Sequence, residues 1–261
     1  AISAPKVGGI VRLTKFILQG TFLIELIGAI LMLPVFCRDY GWKGIWMSVF
    51  HSVSAFCNAG FDILGTTEQT FPSLTGYIAN PLINIVIMLL IVIGGIGFLT
   101  WDDFCTNKWN LKRYRLQSKI ILVTTAVLIL LPAIFFFLSD FVGFSMGKRI
   151  LASLFQSVTL RTAGFNTADL GAMNDSSKAI MMMLIGGSPG STAGGMKTTT
   201  IAVLILNAFA TFGREPETEV FGRRFDNTVV KNAATIAILY FFLFFTGGIA
   251  ISQIEHVALS D

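Results

Sequence analysis

The sequence predicts an all-α polytopic membrane protein built from parallel repeats. Each repeat is expected to contain a transmembrane helix, a short re-entrant helix, a polar turn and a second transmembrane helix. Three observations lead to this fold class: an unusually apolar composition, apolar runs of two different lengths, and a motif that recurs about one hundred residues further along the chain.

The composition excludes most soluble classes of protein. Of the 261 residues, 54% are hydrophobic and only 13% are charged, and the mean hydropathy is +0.73. A soluble surface needs roughly 25–35% charged residues, so an ordinary soluble enzyme, a nucleic-acid-binding module and a disordered chain are all excluded. Two histidines and three widely spaced cysteines indicate neither a His-rich metal site nor a disulfide framework. We expect a multi-pass protein of the cell membrane, surrounded by lipid and without a nucleic-acid partner.

The long apolar runs predict the membrane spans, since a spanning helix needs about 20 largely apolar residues. Four runs qualify: 16–36, 81–99 within a longer uncharged stretch, 120–139 and 232–254. A fifth run, 179–212, contains Lys197 as its only charge, but it is too long for one simple span and its centre is rich in glycine. We expect this fifth run to be an interrupted helix.

Two further apolar segments, 44–56 and 149–160, are too short to span. Each corresponds to about three helical turns, or roughly 18–20 Å, against a hydrocarbon core of about 30 Å. A polar turn that contains glycine follows each segment, as CNAGFD or RTAGFN. A short helix with an irregular return is typical of a re-entrant loop, which is tolerated only inside protein or beside a water-filled path.

The basic residues predict the orientation. Of the 19 Lys and Arg residues, 12 lie in three connections, 1–15, 107–119 and 213–231. The positive-inside rule therefore places the linker 1–15 and the loops 107–119 and 214–231 in the cytoplasm. With this orientation, both short segments enter the membrane from its outer face.

An internal repeat supports the same arrangement. The block FxSV[ST] at Phe50 recurs at Phe155, and the block AGF at Ala59 recurs at Ala163. The whole units are residues 16–106 and 120–213, and a third begins at 232 and reaches 261. Because the units have the same orientation, we expect a rotation axis along the membrane normal, with both turns converging on one central path.

The two turns have the composition of an ion-binding filter. A monovalent cation that leaves water needs its hydration shell replaced, and backbone carbonyls can do this. Glycine allows the required backbone angles, and the negative end of each short helix favours a cation. Asn58 and Thr162 add neutral side-chain oxygens. The predicted filter consists of Cys57, Asn58, Ala59, Gly60 and Phe61 in the first turn, and Thr162, Ala163, Gly164 and Phe165 in the second.

Arg161 immediately precedes the second turn, where its charge would repel a permeating cation. We therefore expect its side chain to point away from the path and to brace the turn by pairing with a carboxylate or with backbone carbonyls.

A glycine-rich segment interrupts the fifth apolar run and predicts a gate. Glycine and proline destabilise a helix, and an irregular segment within lipid is costly, so this segment should line the permeation path. Lys197, just beyond it, is expected to serve the gate or to extend towards the cytoplasmic face. The predicted gate loop consists of Gly186, Gly187, Ser188, Pro189, Gly190, Ser191, Thr192, Ala193, Gly194 and Gly195.

Three motifs, SVSAFCNAGFD, SVTLRTAGFN and GGSPGSTAGGMKTTT, together resemble the Trk/Ktr/HKT superfamily of cation uptake proteins, most closely the TrkH/KtrB type. The resemblance extends over essentially the whole chain. It implies four units around a pseudo-fourfold pore axis, with one filter glycine per unit. It also implies that K⁺ is the transported ion, that no cofactor is covalently bound, and that residues 186–195 form an intramembrane gate. The implied K⁺ contacts are Asn58, Ala59, Gly60, Thr162, Ala163 and Gly164.

The resemblance further implies a homodimer and a cytosolic nucleotide-binding regulatory ring of the RCK/KTN type. Residues 16–106 and 120–213 correspond to the second and third units of the family, and residues 232–261 to the first helix of a truncated fourth unit. A closed pore needs four units, so we expect the isolated 261-residue chain not to conduct ions.

The function expected from this resemblance is K⁺ uptake through a carbonyl-lined filter. Two alternatives stay open: a Na⁺-translocating or Na⁺-coupled protein of the same fold, and a secondary transporter with broken helices. A membrane enzyme is disfavoured, because the sequence shows no cluster of His, Asp or Cys at one membrane face.

Overall fold

The computed structural model describes residues 7–67, 70, 72–181, 185–214 and 218–255. Within these ranges helices predominate, and the named strands form a single small hairpin. The helices are α1 (Val7–Tyr40), α2 (Lys43–Phe56), α3 (Pro81–Gly95), α4 (Phe98–Asn107), α5 (Leu116–Ser139), α6 (Met146–Thr159), α7 (Asp175–Met181), α8 (Thr198–Phe212) and α9 (Asn227–Glu255). The hairpin strands are β1 (Glu219–Val220) and β2 (Arg223–Arg224).

Three of these helices, α1, α5 and α9, are long and apolar enough to cross a membrane. They contain the predicted runs 16–36, 120–139 and 232–254. Helix α1 already begins at Val7, so the part of the expected N-terminal linker that the structure describes is helical. Residues 1–6 and 256–261 lie outside the described part of the chain.

The two short helices confirm the predicted re-entrant geometry. Helices α2 and α6 have 14 residues each, which corresponds to about 21 Å and is too short for a hydrocarbon core of about 30 Å. Each follows a long helix after a brief connection and is followed by one of the two polar turns. Their arrangement within the two units is therefore the same.

Residues 81–99 do not form the single straight helix that their apolar run predicts. Helix α3 ends at Gly95, helix α4 begins at Phe98, and the two axes differ by 98°. Backbone groups on both sides of this break form hydrogen bonds with the gate loop, as described below. The inner helix of the first unit is thus short and ends where the gate loop packs.

The second unit contains an interrupted inner helix, as predicted. Helix α7 lies before the gate loop and α8 begins after it, at Thr198. Residues 182–184 of this run lie outside the described part of the chain.

A buried carboxylate organises the basic connection between α4 and α5. Asp103 is 4% exposed. It accepts hydrogen bonds from the backbone N–H of Arg115 at 3.0 Å and from Ser118 Oγ at 2.6 Å. The carboxylate therefore satisfies a free N–H group at the start of α5, where a negative charge is also favoured by the helix dipole.

The core of the first unit lies between α1, α2, α3 and α6. Its fully buried side chains come from all four helices and include Met32, Phe36, Phe56, Ile87 and Phe155. The short helix of the second unit therefore packs against the first unit, which brings the two polar turns close together.

The contact between α1 and α2 is close enough to predict a stability effect at Gly44. A Cβ at this position would overlap the carbonyl carbon and oxygen of Phe36, which belong to the backbone of α1 and cannot move aside cheaply. We expect Gly44→Ala to destabilise the protein by about 1–3 kcal/mol, as overpacking does in other cores. The measurement is the thermal unfolding midpoint of the detergent-purified protein.

The matched control is Gly147→Ala in α6, where an added Cβ meets no atom within 4 Å. Equal unfolding midpoints for the two variants would contradict the close packing of α1 and α2.

Candidate functional site

The two polar turns have the same backbone conformation. In the first turn (residues 57–61), Asn58 and Gly60 have φ angles of +52° and +72°. In the second turn (residues 162–165), Thr162 and Gly164 have φ angles of +62° and +81°. A positive φ is natural for glycine but uncommon for other residues, above all for β-branched threonine. The sequence repeat is therefore also a repeat of a rare backbone pattern.

A hydroxyl group of each short helix holds the far end of its turn. Ser54 Oγ donates a hydrogen bond to the carbonyl oxygen of Phe61 at 2.8 Å. In the second unit Thr159 Oγ1 donates to the carbonyl oxygen of Phe165 at 2.6 Å. Ser54 and Thr159 are the last residues of the two recurring FxSV[ST] blocks. The repeat therefore contained a signal for this anchoring role, which sequence analysis did not recognise.

A second pair of hydroxyls attaches each short helix to the long helix of its own unit. Ser52 Oγ donates to the backbone oxygen of Glu25 in α1, at 2.6 Å. Ser157 Oγ donates to the backbone oxygen of Ile129 in α5. Both units thus fix their turns by the same two contacts, one to the preceding helix and one across the turn.

The structure brings the two turns together. A Cβ at Gly60 would lie 2.5 Å from the carbonyl oxygen of Ala163 and 2.6 Å from Cα of Gly164. The residues predicted from the two repeats are therefore neighbours in space, although they are about one hundred residues apart in sequence. Because each turn follows the C-terminal end of a short helix, the negative ends of both helix dipoles lie at this place.

The ligands available here are oxygen atoms without charge. Asn58 is 8% exposed, and its Oδ1 has no hydrogen-bond partner among the described residues. Within the described ranges, no group of three His, Cys, Asp or Glu side chains is placed to hold a metal ion. Carbonyl and amide oxygens suit a monovalent cation in transit, which must be bound and then released.

Arg161 is buried beside the second turn, with 2% exposure. Its Nε and Nη2 have no hydrogen-bond partner among the described residues, so the pairing expected for these atoms is not seen there. The side chain extends to the end of α3, where a Cβ at Gly95 would lie 3.7 Å from its Nη2. It therefore lies beside the gate loop as well as the second turn.

This position predicts a strong effect of Arg161→Gln. The guanidinium fills space between the second turn and the end of α3, and we expect its loss to reduce ion uptake at least about fivefold through disorder of the turn, equivalent to about 1 kcal/mol. Arg161→Lys keeps the charge but not the planar shape and should restore uptake only in part. The measurement is Rb⁺ uptake at matched membrane abundance; normal uptake by Arg161→Gln would contradict the bracing role.

The gate loop (residues 186–195) is folded back on itself and partly buried, with Gly190 and Gly194 exposed. The backbone N–H of Gly186 donates to the oxygen of Met196 at 3.0 Å, and Ile185 and Met196 form an isolated β-bridge. Lys197 Nζ donates to the oxygen of Ala193 at 2.7 Å. Ser188 is fully buried, so the first part of the loop is irregular backbone enclosed by protein, which is what such backbone needs inside a membrane.

The gate loop fills the break between α3 and α4. The backbone N–H of Ser188 donates to the oxygen of Gly95 at 2.9 Å, and that of Phe98 donates to the oxygen of Gly190 at 2.9 Å. A Cβ at Gly97 would lie 2.7 Å from the oxygen of Pro189. The break in the first unit and the gate loop of the second unit thus satisfy each other's backbone groups.

The other side of the gate loop contacts the two turns and the last helix. Thr192 Oγ1 donates to the oxygen of Phe56, at the end of α2, at 2.7 Å. A Cβ at Gly195 would lie 3.0 Å from Cγ2 of Thr162. Tyr240 Oη in α9 donates to the oxygen of Gly195 at 3.3 Å. The loop is therefore placed next to both candidate ion-binding turns.

Comparisons with known proteins point to one family. A family described as "TrkH: Cation transport protein" matches residues 4–260. The chain is 37% identical over 244 residues to the potassium/sodium uptake protein NtpJ of Enterococcus hirae, covering 90% of this chain and 52% of that protein. It is 31% identical over 265 residues to the Ktr system potassium uptake protein B of Bacillus subtilis, covering 98% of this chain and 58% of that protein.

A solved structure shares the fold. The crystal structure of the potassium transporter TrkH from Vibrio parahaemolyticus superposes with a TM-score of 0.73 at 20% identity, covering 96% of this chain and 53% of that one. The predicted fold class is thereby confirmed, and the matching family is one of cation transport proteins of the cell membrane rather than of enzymes. The chain spans about half the length of the curated relatives it matches. With its family match and its two equivalent turns, the chain belongs to the TrkH family of cation transport proteins.

Proposed function

We propose that the protein takes up K⁺ across the cell membrane. The ion passes through a filter to which the two turns contribute backbone carbonyls, and the gate loop controls the passage. The observation that carries this proposal is the meeting of two turns with the same left-handed pattern, at Asn58 and Gly60 and at Thr162 and Gly164. Alternating left-handed residues direct successive carbonyls to one side, as a carbonyl-lined filter needs.

The gate loop supports the same function by its position. It is an irregular segment that contacts both turns, and its hydrogen bonds to α3, α4 and α9 hold it in a defined place. A segment of this kind can block the path in one conformation and clear it in another.

We further propose that the protein works as a homodimer with a cytosolic nucleotide-binding ring of the RCK/KTN type. The docking surface for the ring would include Lys119 and Phe221, which contact each other: Nζ of Lys119 lies 5.8 Å from the ring centroid of Phe221. Described residues of the basic connections 107–119 and 214–231 thus lie close together at this contact, where an acidic surface of the ring would dock. Light-scattering measurement of the mass of the purified protein, with and without the ring, tests the stoichiometry.

Uptake measurements test the proposed function. The complete natural protein that carries this sequence is expressed in bacteria that lack K⁺ uptake, and initial rates of Rb⁺ and Na⁺ entry are compared with those of empty-vector cells. The proposal predicts Rb⁺ entry above the vector control and faster than Na⁺ entry. Surface expression without Rb⁺ entry would contradict it.

Na⁺ is the second candidate ion, because the relative from Enterococcus hirae is named for both potassium and sodium. Faster Na⁺ than Rb⁺ entry would favour this alternative. Rb⁺ uptake that stops when the proton gradient is collapsed at constant membrane potential would favour a coupled transporter with broken helices instead.

A further inference from the structure

One side chain of the gate loop forms hydrogen bonds with the first turn. Thr192 Oγ1 donates to the backbone oxygen of Phe56 at 2.7 Å and accepts from Asn58 Nδ2 at 3.1 Å. Asn58 Nδ2 also lies 3.3 Å from the oxygen of Phe56. The three groups form a closed set of polar contacts between the gate loop of the second unit and the turn of the first.

The residue that Thr192 holds is one of the two left-handed residues of its turn. Asn58 has a φ of +52° and is 8% exposed. A non-glycine residue in this conformation is strained and persists only where its surroundings hold it. Its amide group is held by Thr192 and by backbone oxygens of Phe56 and Ile91, the latter at 3.4 Å. Loss of Thr192 therefore removes one of the restraints on the backbone of the turn.

The equivalent residue of the second turn also contacts the gate loop. Thr162 has a φ of +62°, and its Cγ2 would lie 3.0 Å from a Cβ at Gly195. The gate loop thus contacts, in both units, the residue two positions before the filter glycine. A movement of the loop must change the surroundings of both residues.

We propose that Thr192 is a positioning residue that couples the gate loop to the ion-binding turns. This inference rests on the proposed function and deepens it. When the loop moves to open the path, Thr192 leaves Phe56 and Asn58, and the first turn loses one of the contacts that hold Asn58 in its left-handed conformation. Gate opening and ion binding at the turn are then linked, and the linkage is reciprocal: an ion bound at the turn also biases the loop.

A coupling residue and a simple gate residue differ in what their loss changes. A residue that only closes the gate changes the maximal rate of uptake and leaves the ion preference unaltered. A residue that also sets the turn changes the half-saturating Rb⁺ concentration and the ratio of Rb⁺ to Na⁺ uptake. Three measurements on the same cells therefore separate the two roles.

The test variants are Thr192→Val, which removes the hydroxyl but keeps the shape, and Thr192→Ser, which keeps the hydroxyl. The control is Thr125→Val in α5, since the buried Oγ1 of Thr125 has no hydrogen-bond partner among the described residues. All are made in the complete natural protein, and Rb⁺ and Na⁺ uptake are measured against ion concentration at matched membrane abundance. If Thr192→Val does not reach the membrane, Thr192→Ala is measured in its place.

We expect Thr192→Val to change the maximal rate, the half-saturating Rb⁺ concentration and the Rb⁺ to Na⁺ ratio, each by about fivefold or more. Thr192→Ser should restore values close to wild type. Agreement of Thr192→Val with Thr125→Val in all three quantities would overturn the coupling, and so would a change in the maximal rate alone. Wild-type uptake distinguishes the two proposals: Rb⁺ entry in wild type with an unaffected Thr192→Val refutes only the coupling, whereas no Rb⁺ entry in wild type refutes the proposed function.

Discussion

Serine in place of Gly60 is expected to reduce Rb⁺ uptake by about tenfold or more and to lower the preference for Rb⁺ over Na⁺. The residue has a φ of +72°, a conformation that costs an L side chain about 1–2 kcal/mol. The serine Cβ at position 60 would also lie 2.5 Å from the oxygen of Ala163 and 2.6 Å from Cα of Gly164. Both neighbours are backbone atoms of the second turn, so the two turns must move apart. A tenfold loss of uptake rate requires an increase of only about 1.4 kcal/mol in the free-energy barrier to ion passage.

The corresponding change at Gly164 should have the same direction and a smaller size. A Cβ there would lie 3.1 Å from Cα of Gly60 and 3.7 Å from the oxygen of Ala59, so less displacement is needed. Gly76→Ser is the control, because an added Cβ at Gly76 meets no atom within 4 Å. The measurement compares initial rates of Rb⁺ and Na⁺ uptake by the variants and the wild type at equal membrane abundance. A wild-type rate and ion ratio in Gly60→Ser would contradict the filter role of the first turn.

The second large effect is expected at Gly186, where the gate loop folds on itself. A Cβ at this position would overlap the carbonyl oxygen of Gly194, so Gly186→Ala cannot keep the contact between the two ends of the loop. Overpacking of about 1–3 kcal/mol shifts a closed loop towards other conformations. We therefore expect Gly186→Ala to raise the initial rate of Rb⁺ uptake roughly fivefold or more, because a displaced loop no longer closes the path.

Gly147→Ala in α6 is the control for this experiment too, since it adds the same atom in open space. Uptake is measured in cells without the regulatory ring, where a closed gate should keep the wild-type rate low. If Gly186→Ala lowered the rate at unchanged membrane abundance, the loop would be a structural support of the path rather than its gate.

Local sequence patterns were sufficient to predict three of the spans and the repeats. Helices α1, α5 and α9 are long because their apolar runs are long, and α2 and α6 are short because their apolar segments are short. The recurring AGF block located both turns, since glycine is the residue that takes a positive φ without strain. These features depend on composition and spacing over at most a few dozen residues, which a sequence displays directly.

The features that sequence analysis missed depend on contacts between distant segments. The break after Gly95 lies beside Gly94 and Gly97 in an uncharged apolar run whose one proline, Pro81, is at its start, and its backbone groups are satisfied by the gate loop from the second unit. Thr192 contacts the oxygen of Phe56 across 136 residues of sequence. Nothing local to either position indicates these partners. Arg161 shows the same limit, since its place just before the second turn is visible in the sequence, but the lack of partners for Nε and Nη2 among the described residues is not.

The most direct test of the ion path is to locate the bound ion itself. Crystals of the complete natural protein are soaked in a rubidium salt, and an anomalous difference map is calculated at the rubidium absorption edge. The filter proposal predicts a peak within coordination distance of the backbone oxygens of residues 58–60 and 162–164. Rubidium peaks elsewhere along the chain, with none at the two turns, would contradict the claim that these turns bind the transported ion.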